Sequence, residues 1–508
     1  MNGTYWRNVR KDIMSKSRNY VALDLGAGSG RAMLGSLRDG RLVLEEAHRF
    51  SNDPVSLPDG LYWDVLRLWG NLKTGITRAA EKAGAPLDGL AVDTWGVDYG
   101  LLDGAGRLLG NPYNYRDART DGMMDAAFAK VSQADIFKAT GIQFMQINTL
   151  YQLLAQVEAN DPRLQAAERL LLMPDLFNYW FTGEARAEQT IASTSQCYDP
   201  RAGTWATEML KALNIPCELF ADIVMPGTKI GALRTVLADE LGVDPMPVIA
   251  VGSHDTASAV AAVPFTGSGE AFLSSGTWSL LGTESPQPVI TEASLRYNFT
   301  NEAGVSGTTR LLKNITGLWI TQEMRRVWTA AGEKISYDDM ADLAQTADPF
   351  TVFIDGDDPL FMPPGDMCER IAQFAQQTGQ PVPADRAAFI RAAFESLVFK
   401  YRAVLDMLET LTGEAIHTLH IVGGGTRNTF LNRWIASATG RTVKTGPSEA
   451  TAAGNVLLQM MATGELNDLA AGRECIRQSF PSETFEPEDQ APWDAAYPRY
   501  REILERQG

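Results

Sequence analysis

The chain has 508 residues, which is too long for one ordinary hydrophobic core and indicates two domains or two large lobes. Apolar residues make up 45% and charged residues 21% of the sequence, a composition typical of globular enzymes. The formal net charge is −17 and no basic patch stands out, which argues against a nucleic-acid partner.

The sequence also argues against membrane insertion and secretion. No apolar run approaches the roughly 18 residues that a membrane helix needs. Residues 1–17 carry basic side chains from Arg7 to Lys16 but no apolar segment, so they do not form a secretory signal. A short mitochondrial presequence is one alternative; we favour a start site placed too far upstream, with Met14 as the true start. The four cysteines form no CxxC pair, and we therefore expect a reduced, cytoplasmic protein.

The first half of the chain begins with three predicted strands, at residues 21–25, 31–37 and 42–47. The glycine-rich residues 26–30 therefore lie in a hairpin. A Rossmann fingerprint or a P-loop requires a helix after the glycines, so this loop is neither. A helical pattern follows over residues 65–82, and then a strand that ends at Asp93 and a further hairpin. The apolar residues of that helix are Leu66, Trp69, Leu72 and Ile76.

The second half repeats this plan. Residues 270–285 predict two strands joined by a small-residue hairpin at 274–277. Residues 418–440 predict a strand, three glycines and a helix, and residues 442–463 predict a short strand and a closing helix. We therefore predict a duplicated fold with two lobes. The alternative is that such pieces occur in any α/β chain.

A polar pair interrupts the bland segment between the two halves. Residues 247–251 predict a strand and residues 256–263 a helix rich in alanine, so His254 and Asp255 lie at a strand-to-helix junction. Asp255 has two interpretations: a helix cap, for which aspartate is among the best residues, or a functional carboxylate.

The two glycine-containing hairpins predict phosphate binding, because a turn without side chains lets backbone N–H groups approach anionic oxygens. Facing each other across a cleft, they could clamp a triphosphate. Asp24 and Asp93 end strands beside these loops, and one or two carboxylates suit Mg²⁺. Asp255, favoured as an anion by its helix start, could accept the proton of a hydroxyl in phosphoryl transfer.

Polar residues for a sugar pocket are also present. The candidates in the first half are Trp95, Asp98, Gln143 and Asn148. Residues 141–153 mix amides with apolar side chains, and the alternative there is an ordinary helix start capped by Asn148 or Thr149. We expect Asn314 to reach the cleft from a helix start, and Trp319 and Trp328 to lie in the core.

Several segments occur in the order seen in one enzyme family. They are DLGAGSGR, VDTWGVDYGLL, GSHDTASAV, LSSGTWSLLG, LLKNITGLWI, and LHIVGGGTRNTFLN followed by EATAAGN. Over residues 20–461 the chain resembles the FGGY carbohydrate kinases, and DTWGVD, SHDTASAV and LKNITGLW resemble the members that act on L-rhamnulose. The resemblance implies an α/β, actin/hexokinase-like fold, in which two ribonuclease-H-like lobes enclose a central cleft for ATP and a sugar.

The resemblance further implies Mg²⁺-dependent transfer of phosphate from ATP to O1 of L-rhamnulose, giving L-rhamnulose 1-phosphate in L-rhamnose catabolism. It makes Asp255 the general base and Asp24 a carboxylate for Mg²⁺. The residues implied to contact the sugar are Gly96, His254, Asp255, Thr256 and Asn314. Those implied to contact ATP are Ala27, Gly28, Ser29, Gly30, Arg31, Thr277, Gln322 and Gly424.

One departure from the family pattern falls in the first phosphate loop. The family has Ala-Ser-Ser-Gly-Arg where this chain has Gly28 in place of the first serine. One hydroxyl donor is lost and backbone N–H contacts are kept, so we expect altered nucleotide affinity at most.

The predicted division of the chain has four parts. They are an N-terminal extension (1–18), an N-terminal kinase lobe on the sugar side (19–252), a C-terminal kinase lobe on the nucleotide side (253–470) and a helical tail packed on the lobes (471–508). We expect a monomer or homodimer whose partners are only the sugar and ATP. The alternatives are a kinase of L-fuculose, xylulose or glycerol, and a non-catalytic actin-like or sugar-sensing protein.

Overall fold

The computed structural model describes residues 18–506. The predicted N-terminal extension therefore lies outside the described residues, apart from Arg18, which begins the first strand. Within the described part of the chain, no helix is both long and apolar enough to cross a membrane.

Residues 18–261 form the elements of the first half. The strands are β1 (Arg18–Leu25), β2 (Ser29–Arg38), β3 (Arg41–Ser51), β4 (Val55–Leu57), β5 (Gly60–Tyr62), β6 (Gly89–Thr94), β7 (Tyr99–Leu102), β8 (Arg169–Leu172), β9 (Ala187–Glu188), β10 (Tyr198–Asp199), β11 (Thr204–Trp205), β12 (Ile223–Val224), β13 (Thr228–Ala232) and β14 (Pro247–Ala250). The helices are α1 (Val65–Ala83), α2 (Met123–Phe128), α3 (Gln133–Thr140), α4 (Thr149–Glu158), α5 (Pro162–Ala166), α6 (Met173–Thr182), α7 (Gln189–Thr194), α8 (Thr207–Ala212), α9 (Thr235–Leu241) and α10 (Asp255–Ala261).

Residues 270–505 form the elements of the second half. The strands are β15 (Glu270–Ser275), β16 (Trp278–Ser285), β17 (Thr300–Ala303), β18 (Thr309–Thr316), β19 (Thr418–Val422), β20 (Thr442–Thr445) and β21 (Thr484–Phe485). The helices are α11 (Glu292–Arg296), α12 (Trp319–Ala330), α13 (Tyr337–Thr346), α14 (Met367–Gln377), α15 (Arg386–Thr412), α16 (Thr429–Thr439), α17 (Ala450–Thr463), α18 (Leu469–Ser479) and α19 (Gln490–Glu505).

Two sheets with the same inner topology form the centres of the lobes. The first has the strand order β13-β14-β6-β1-β2-β3, and the second β17-β18-β16-β15-β19-β20-β21. In each, an antiparallel hairpin (β1–β2 or β15–β16) continues into a third antiparallel strand, and two parallel strands lie on the other side of its first strand. The repeated order confirms the predicted two-lobe α/β fold.

Most predicted elements are present, with three local corrections. In α1, Leu72 and Ile76 are buried as predicted, but Leu66 is 65% exposed and Leu68 takes its place on the buried face. Asn314 lies in the middle of β18 and not at a helix start. The N-cap of α10 is His254, and Asp255 is the first helical residue, so its carboxylate is not needed as a cap.

The lobes join where α10 and α17 cross. Gly454 lies in the middle of α17, and a β-carbon added there would come within 1.7 Å of the carbonyl oxygen of Ser258 in α10. Two amides of α17 reach into the first sheet: Asn455 donates to Asp93 at 2.6 Å and Gln459 to the carbonyl of Val21 at 2.9 Å. Because these groups are buried, their hydrogen bonds fix the position of α17 against β1 and β6.

After α17 the chain packs on both lobes. Helix α18 packs on α17 and β3, β21 pairs with β20 at the edge of the second sheet, and α19 packs on α15 and α16. The proposed boundaries at residues 252/253 and 470/471 remain predictions.

The crossing of α10 and α17 predicts a strong effect of Gly454→Ala. The added methyl group would collide with backbone, so we expect a loss of roughly 1–3 kcal/mol of stability or more and a lower Tm in thermal unfolding. The matched control is Gly70→Ala in α1, where an added β-carbon meets nothing within 4 Å. That change should leave Tm unchanged or raise it, because alanine in a helix is more stable than glycine by up to about 1 kcal/mol. Equal Tm values for the two variants would contradict the close packing.

Candidate active site

A cleft of about 640 Å³ lies between the lobes and is lined by both hairpins. Residues 26–29 of the β1–β2 hairpin and residues 274–277 of the β15–β16 hairpin contribute to its walls. Each turn is closed by its own backbone: the N–H of Gly26 donates to Ser29 at 3.0 Å, and the N–H of Gly276 donates to Trp278 at 3.0 Å. The two turns thus form parts of one cleft, as the duplication predicts.

The cleft brings most of the predicted site residues together. Those that line it are Asp24, Ala27, Gly28, Ser29, Arg31, Gly96, His254, Asp255, Thr256, Thr277, Asn314 and Gln322. Gly30 does not line it: the residue is buried, and its Cα lies against the ring of Phe50. Gly424 does not line it either, and lies on the exposed glycine turn that packs on Ser275 through Gly425. The roles assigned to all of these residues stay predictions.

Charges at the phosphate side of the cleft are already paired. Arg31 contacts Asp24 at 2.8 Å and Glu449, the N-cap residue of α17, at 2.6 Å. Asp93, the other carboxylate predicted beside these loops, lies in a different environment. Asp93 is fully buried and does not line the cleft, one of its oxygens has no hydrogen-bond partner, and burial together with Asp24 raises its pKa well above the ordinary value. Asp93 is therefore part of the lobe junction.

Asp255 is one of the three described acidic residues that line the cleft, with Asp24 and Glu302. It lies at the start of α10, receives a hydrogen bond from the Thr256 hydroxyl at 3.0 Å, and is 3.5 Å from Nε2 of His254. Burial raises the pKa of Asp255, against the opposing effect of His254. A carboxylate with a raised pKa is a better proton acceptor than one on the surface.

Buried acids of the first lobe hold the strand-to-helix junction in place. Glu188 accepts hydrogen bonds from the backbone N–H of Ser253 at 3.1 Å and from Thr190, and Thr190 in turn accepts from the N–H of His254 at 3.2 Å. Asp175 receives the N–H of Glu188 at 3.0 Å. Burial raises the pKa of Glu188 to about 7. The backbone that presents Asp255 is therefore anchored to α7.

Gln143 and Asn314 connect the two lobes across the cleft that both residues line. The side-chain oxygen of Gln143 accepts from the backbone N–H of Asn314 at 2.9 Å and from its side-chain amide at 3.1 Å, and its own amide donates to the Asn314 carbonyl at 3.3 Å. Asn148 supports Gln143 by donating to its carbonyl at 2.9 Å. Gln143 takes one of the two amide hydrogens of Asn314, and the side-chain oxygen of Asn314 accepts no hydrogen bond from the described residues.

Asp98 is a structural residue and not a sugar ligand. It is buried and does not line the cleft, and it accepts hydrogen bonds from the indoles of Trp63 and Trp95 at 2.6 and 2.9 Å and from Gln152 at 2.9 Å. Burial raises its pKa to about 6, against these donors. The predicted use of Asp98 in the sugar pocket is corrected: it fixes Trp95, which does line the cleft.

The structure adds cleft residues that the sequence did not indicate. Arg116 has its guanidinium between the rings of Tyr115 and Trp319, at 5.3 and 5.2 Å. Trp319 was expected in the core but lines the cleft, whereas Trp328 is buried as expected. Glu302 and Thr451 line it as well. No local signal marks Glu302 in the sequence, because β17 is the polar segment Thr-Asn-Glu-Ala.

The donor set fits a Mg²⁺ ion that is bound mostly through phosphate oxygens and water. Among residues 18–506 no three metal-ligating side chains cluster, so a closed protein cage is not formed. Asp24 provides one carboxylate at the cleft wall, between the Gly26–Ser29 turn and Arg31. One or two carboxylates are enough for Mg²⁺ in nucleotide sites.

Two family models match this chain. The model of the FGGY family of carbohydrate kinases, N-terminal domain, matches residues 19–262, and the C-terminal domain model matches residues 271–463. The chain is 44% identical to a rhamnulokinase of Bacteroides thetaiotaomicron, with 96% of this chain and 99% of the relative covered. It is 38% identical to a rhamnulokinase of Bacillus subtilis, with 92% and 96% covered.

Solved structures show the same fold. A ligand-bound xylulose kinase of Lactobacillus acidophilus superposes with a TM-score of 0.81 at 17% identity, over 96% of this chain and 98% of that one. A glycerol kinase of Plasmodium falciparum with ADP superposes with a TM-score of 0.79 at 16% identity, over the same shares of both chains.

The Gln143–Asn314 contact predicts a selective effect on the sugar. Gln143→Ala frees the Asn314 amide, so we expect KM for the sugar to rise about tenfold, as loss of a buried hydrogen bond implies, with KM for ATP unchanged. The control is Gln146→Ala on the same loop, because Gln146 bonds the exposed Asp121 and does not line the cleft. An equal rise in both KM values would contradict a role at the sugar side.

Proposed function

The chain belongs to the FGGY family of carbohydrate kinases, and we propose that it transfers the γ-phosphoryl group of ATP to O1 of L-rhamnulose in L-rhamnose catabolism. The observation that carries the proposal is the single cleft in which hairpins of both lobes face Asp255. Both relatives are named rhamnulokinases, and their sequences align with nearly the whole chain. This similarity supports the choice of sugar.

In the proposed reaction, Asp255 accepts the proton of the O1 hydroxyl as that oxygen attacks the γ-phosphorus. Its raised pKa and its place at the first turn of α10 support this role, since the turn orients the carboxylate into the cleft. His254, Thr256 and Asn314 hold the neighbouring sugar oxygens. The turn N–H groups of the two hairpins hold the phosphates, which carry most of the charge in a loose transition state.

Mg²⁺, when bound with ATP, would neutralise phosphate charge, and Asp24 is the residue proposed to contact it. Arg31 donates to one carboxylate oxygen of Asp24, which leaves the other oxygen for the ion or for a water that the ion carries. Cytoplasmic location, a monomeric or homodimeric state and the absence of nucleic-acid partners stay predictions.

The base assignment predicts that Asp255→Asn folds and binds sugar but loses turnover by at least about 100-fold, the typical contribution of a general base. Turnover is measured by coupled ADP release and sugar binding by calorimetry. Asp125→Asn, an exposed acid on α2 outside the cleft, is the matched control and should keep wild-type rates. Near-normal turnover of Asp255→Asn would rule out this carboxylate as the base.

The substrate assignment predicts the highest kcat/KM for L-rhamnulose in a panel with L-fuculose, xylulose and glycerol. The same ADP-release assay with the wild-type protein measures it. A clear preference for one of the other three would replace the sugar and keep the kinase. No ADP release with any of them would favour a non-catalytic protein on this fold.

A further inference from the structure

A buried ion pair of the second lobe contacts the imidazole of His254. Glu302 on β17 and Arg310 on β18 are cross-strand partners in the antiparallel register, and their side chains meet at 3.0 Å. Arg310 is fully buried and Glu302 is 4% exposed. The arginine also donates through Nε to the carbonyl of Ala303 at 3.0 Å. The guanidinium is thus held in one orientation, against Nδ1 of His254.

The contact decides which ring nitrogen of His254 carries the proton. In a neutral imidazole one nitrogen donates and the other accepts, while an arginine can only donate. Nη2 of Arg310 lies 3.2 Å from Nδ1 in hydrogen-bonding geometry. Oε2 of Glu302 lies 3.1 Å from Nδ1 and is the competing partner, because it would accept a hydrogen bond from a protonated Nδ1. A proton on Nδ1 would, however, point toward the guanidinium N–H of Arg310, which cannot accept it. Nδ1 is therefore the acceptor, and the proton belongs on Nε2.

Nε2 faces the carboxylate of Asp255 at 3.5 Å, at the wall of the cleft. Burial alone would raise the pKa of Glu302, but the neighbouring Arg310 guanidinium outweighs burial and holds that pKa below its ordinary value, so Glu302 remains a carboxylate that balances the buried arginine. A buried cation without that anion would be costly. Glu302 thus keeps Arg310 in place, and Arg310 determines which nitrogen of the His254 imidazole carries the proton.

We propose that Arg310 is a positioning residue: by donating to Nδ1 it places the proton of His254 on Nε2, where it donates to the substrate oxygen next to the hydroxyl that Asp255 deprotonates. The pair then presents one donor and one acceptor side by side. This pattern fits a 2-ketose, whose C1 hydroxyl gives up a proton to Asp255 while its C2 oxygen accepts a hydrogen bond from His254. The part that concerns the sugar rests on the proposed function, and the part that concerns the tautomer does not.

The tautomer can be measured without any sugar. The chain has four histidines, so ¹⁵N-histidine labelling and long-range ¹H–¹⁵N NMR resolve each ring, and His254→Asn identifies the signals of His254. Measured at a pH at which the ¹⁵N shifts of the His254 ring show it to be neutral, wild-type protein should show a protonated Nε2 and a bare Nδ1. A protonated Nδ1 would overturn the proposal, whether or not the protein is a kinase.

Arg310→Met tests the cause. Without the arginine, Glu302 is the remaining partner of Nδ1, so the proton should move to Nδ1 and kcat/KM for the sugar should fall about tenfold, as expected for one hydrogen bond. An unchanged tautomer in this variant would also overturn the proposal. If the variant does not fold, the wild-type measurement alone decides.

The matched control is Arg441→Met. Arg441 is likewise a buried arginine of the second lobe that bonds a carboxylate, Glu409 at 2.9 Å, and two backbone carbonyls. It does not line the cleft. Its loss should lower Tm and leave both the tautomer of His254 and kcat/KM unchanged. A tautomer change there would mean that any loss of a buried arginine disturbs the site.

Discussion

The close crossing of α10 and α17 is the constraint on which the cleft depends. Both helices begin at the cleft: α10 with Asp255, and α17 directly after Glu449, which holds Arg31. They approach so closely that position 454 has no room for a side chain. The distance between Asp255 and the β1–β2 hairpin is therefore set by helix packing, which is stiff because protein interiors are close-packed.

The same crossing explains why the segment around His254 is built from small residues. Ala257, Ser258 and Ala259 are buried at the joint of two lobes, where large side chains would separate the helices. Asp255 is not the cap of α10, and its backbone is instead held by a hydrogen-bond chain from Glu188 through Ser253. The small residues let α10 and α17 pack closely, and the buried acids orient the backbone that carries Asp255.

Local patterns in the sequence were enough for the strands, the hairpins and the duplication. Glycines between apolar strands, as at residues 26–30, are a short-range signal, and the two hairpins are where the pattern places them. The exact partners could not be predicted, because they join residues far apart in sequence. Asp93 is hydrogen-bonded to Asn455, and Gln143 to Asn314. No local pattern in the sequence indicates either pairing.

The errors have the same origin. Asp98 and Asp93 resemble functional acids in sequence, since both stand in a polar motif after an apolar strand. In three dimensions Asp98 is surrounded by N–H donors and Asp93 belongs to the lobe junction. Asn314 was assigned to a helix start, although the alternation of β18 places it on a strand that faces the cleft. Tertiary contacts, and not propensity, decide these cases.

Charge pairing within the cleft gives the glycine hairpins their importance. Among the described residues, the lining contains two arginines and no lysine. Arg31 is bound between Asp24 and Glu449, and Arg116 lies between aromatic rings. In the proposed reaction, phosphate charge would then be met by backbone N–H groups and by the metal that accompanies the nucleotide. Gly28 fits this proposal: a β-carbon there would meet nothing within 4 Å, so a serine at this position would not be excluded by space. The glycine removes a hydroxyl and leaves the N–H groups of the turn in place.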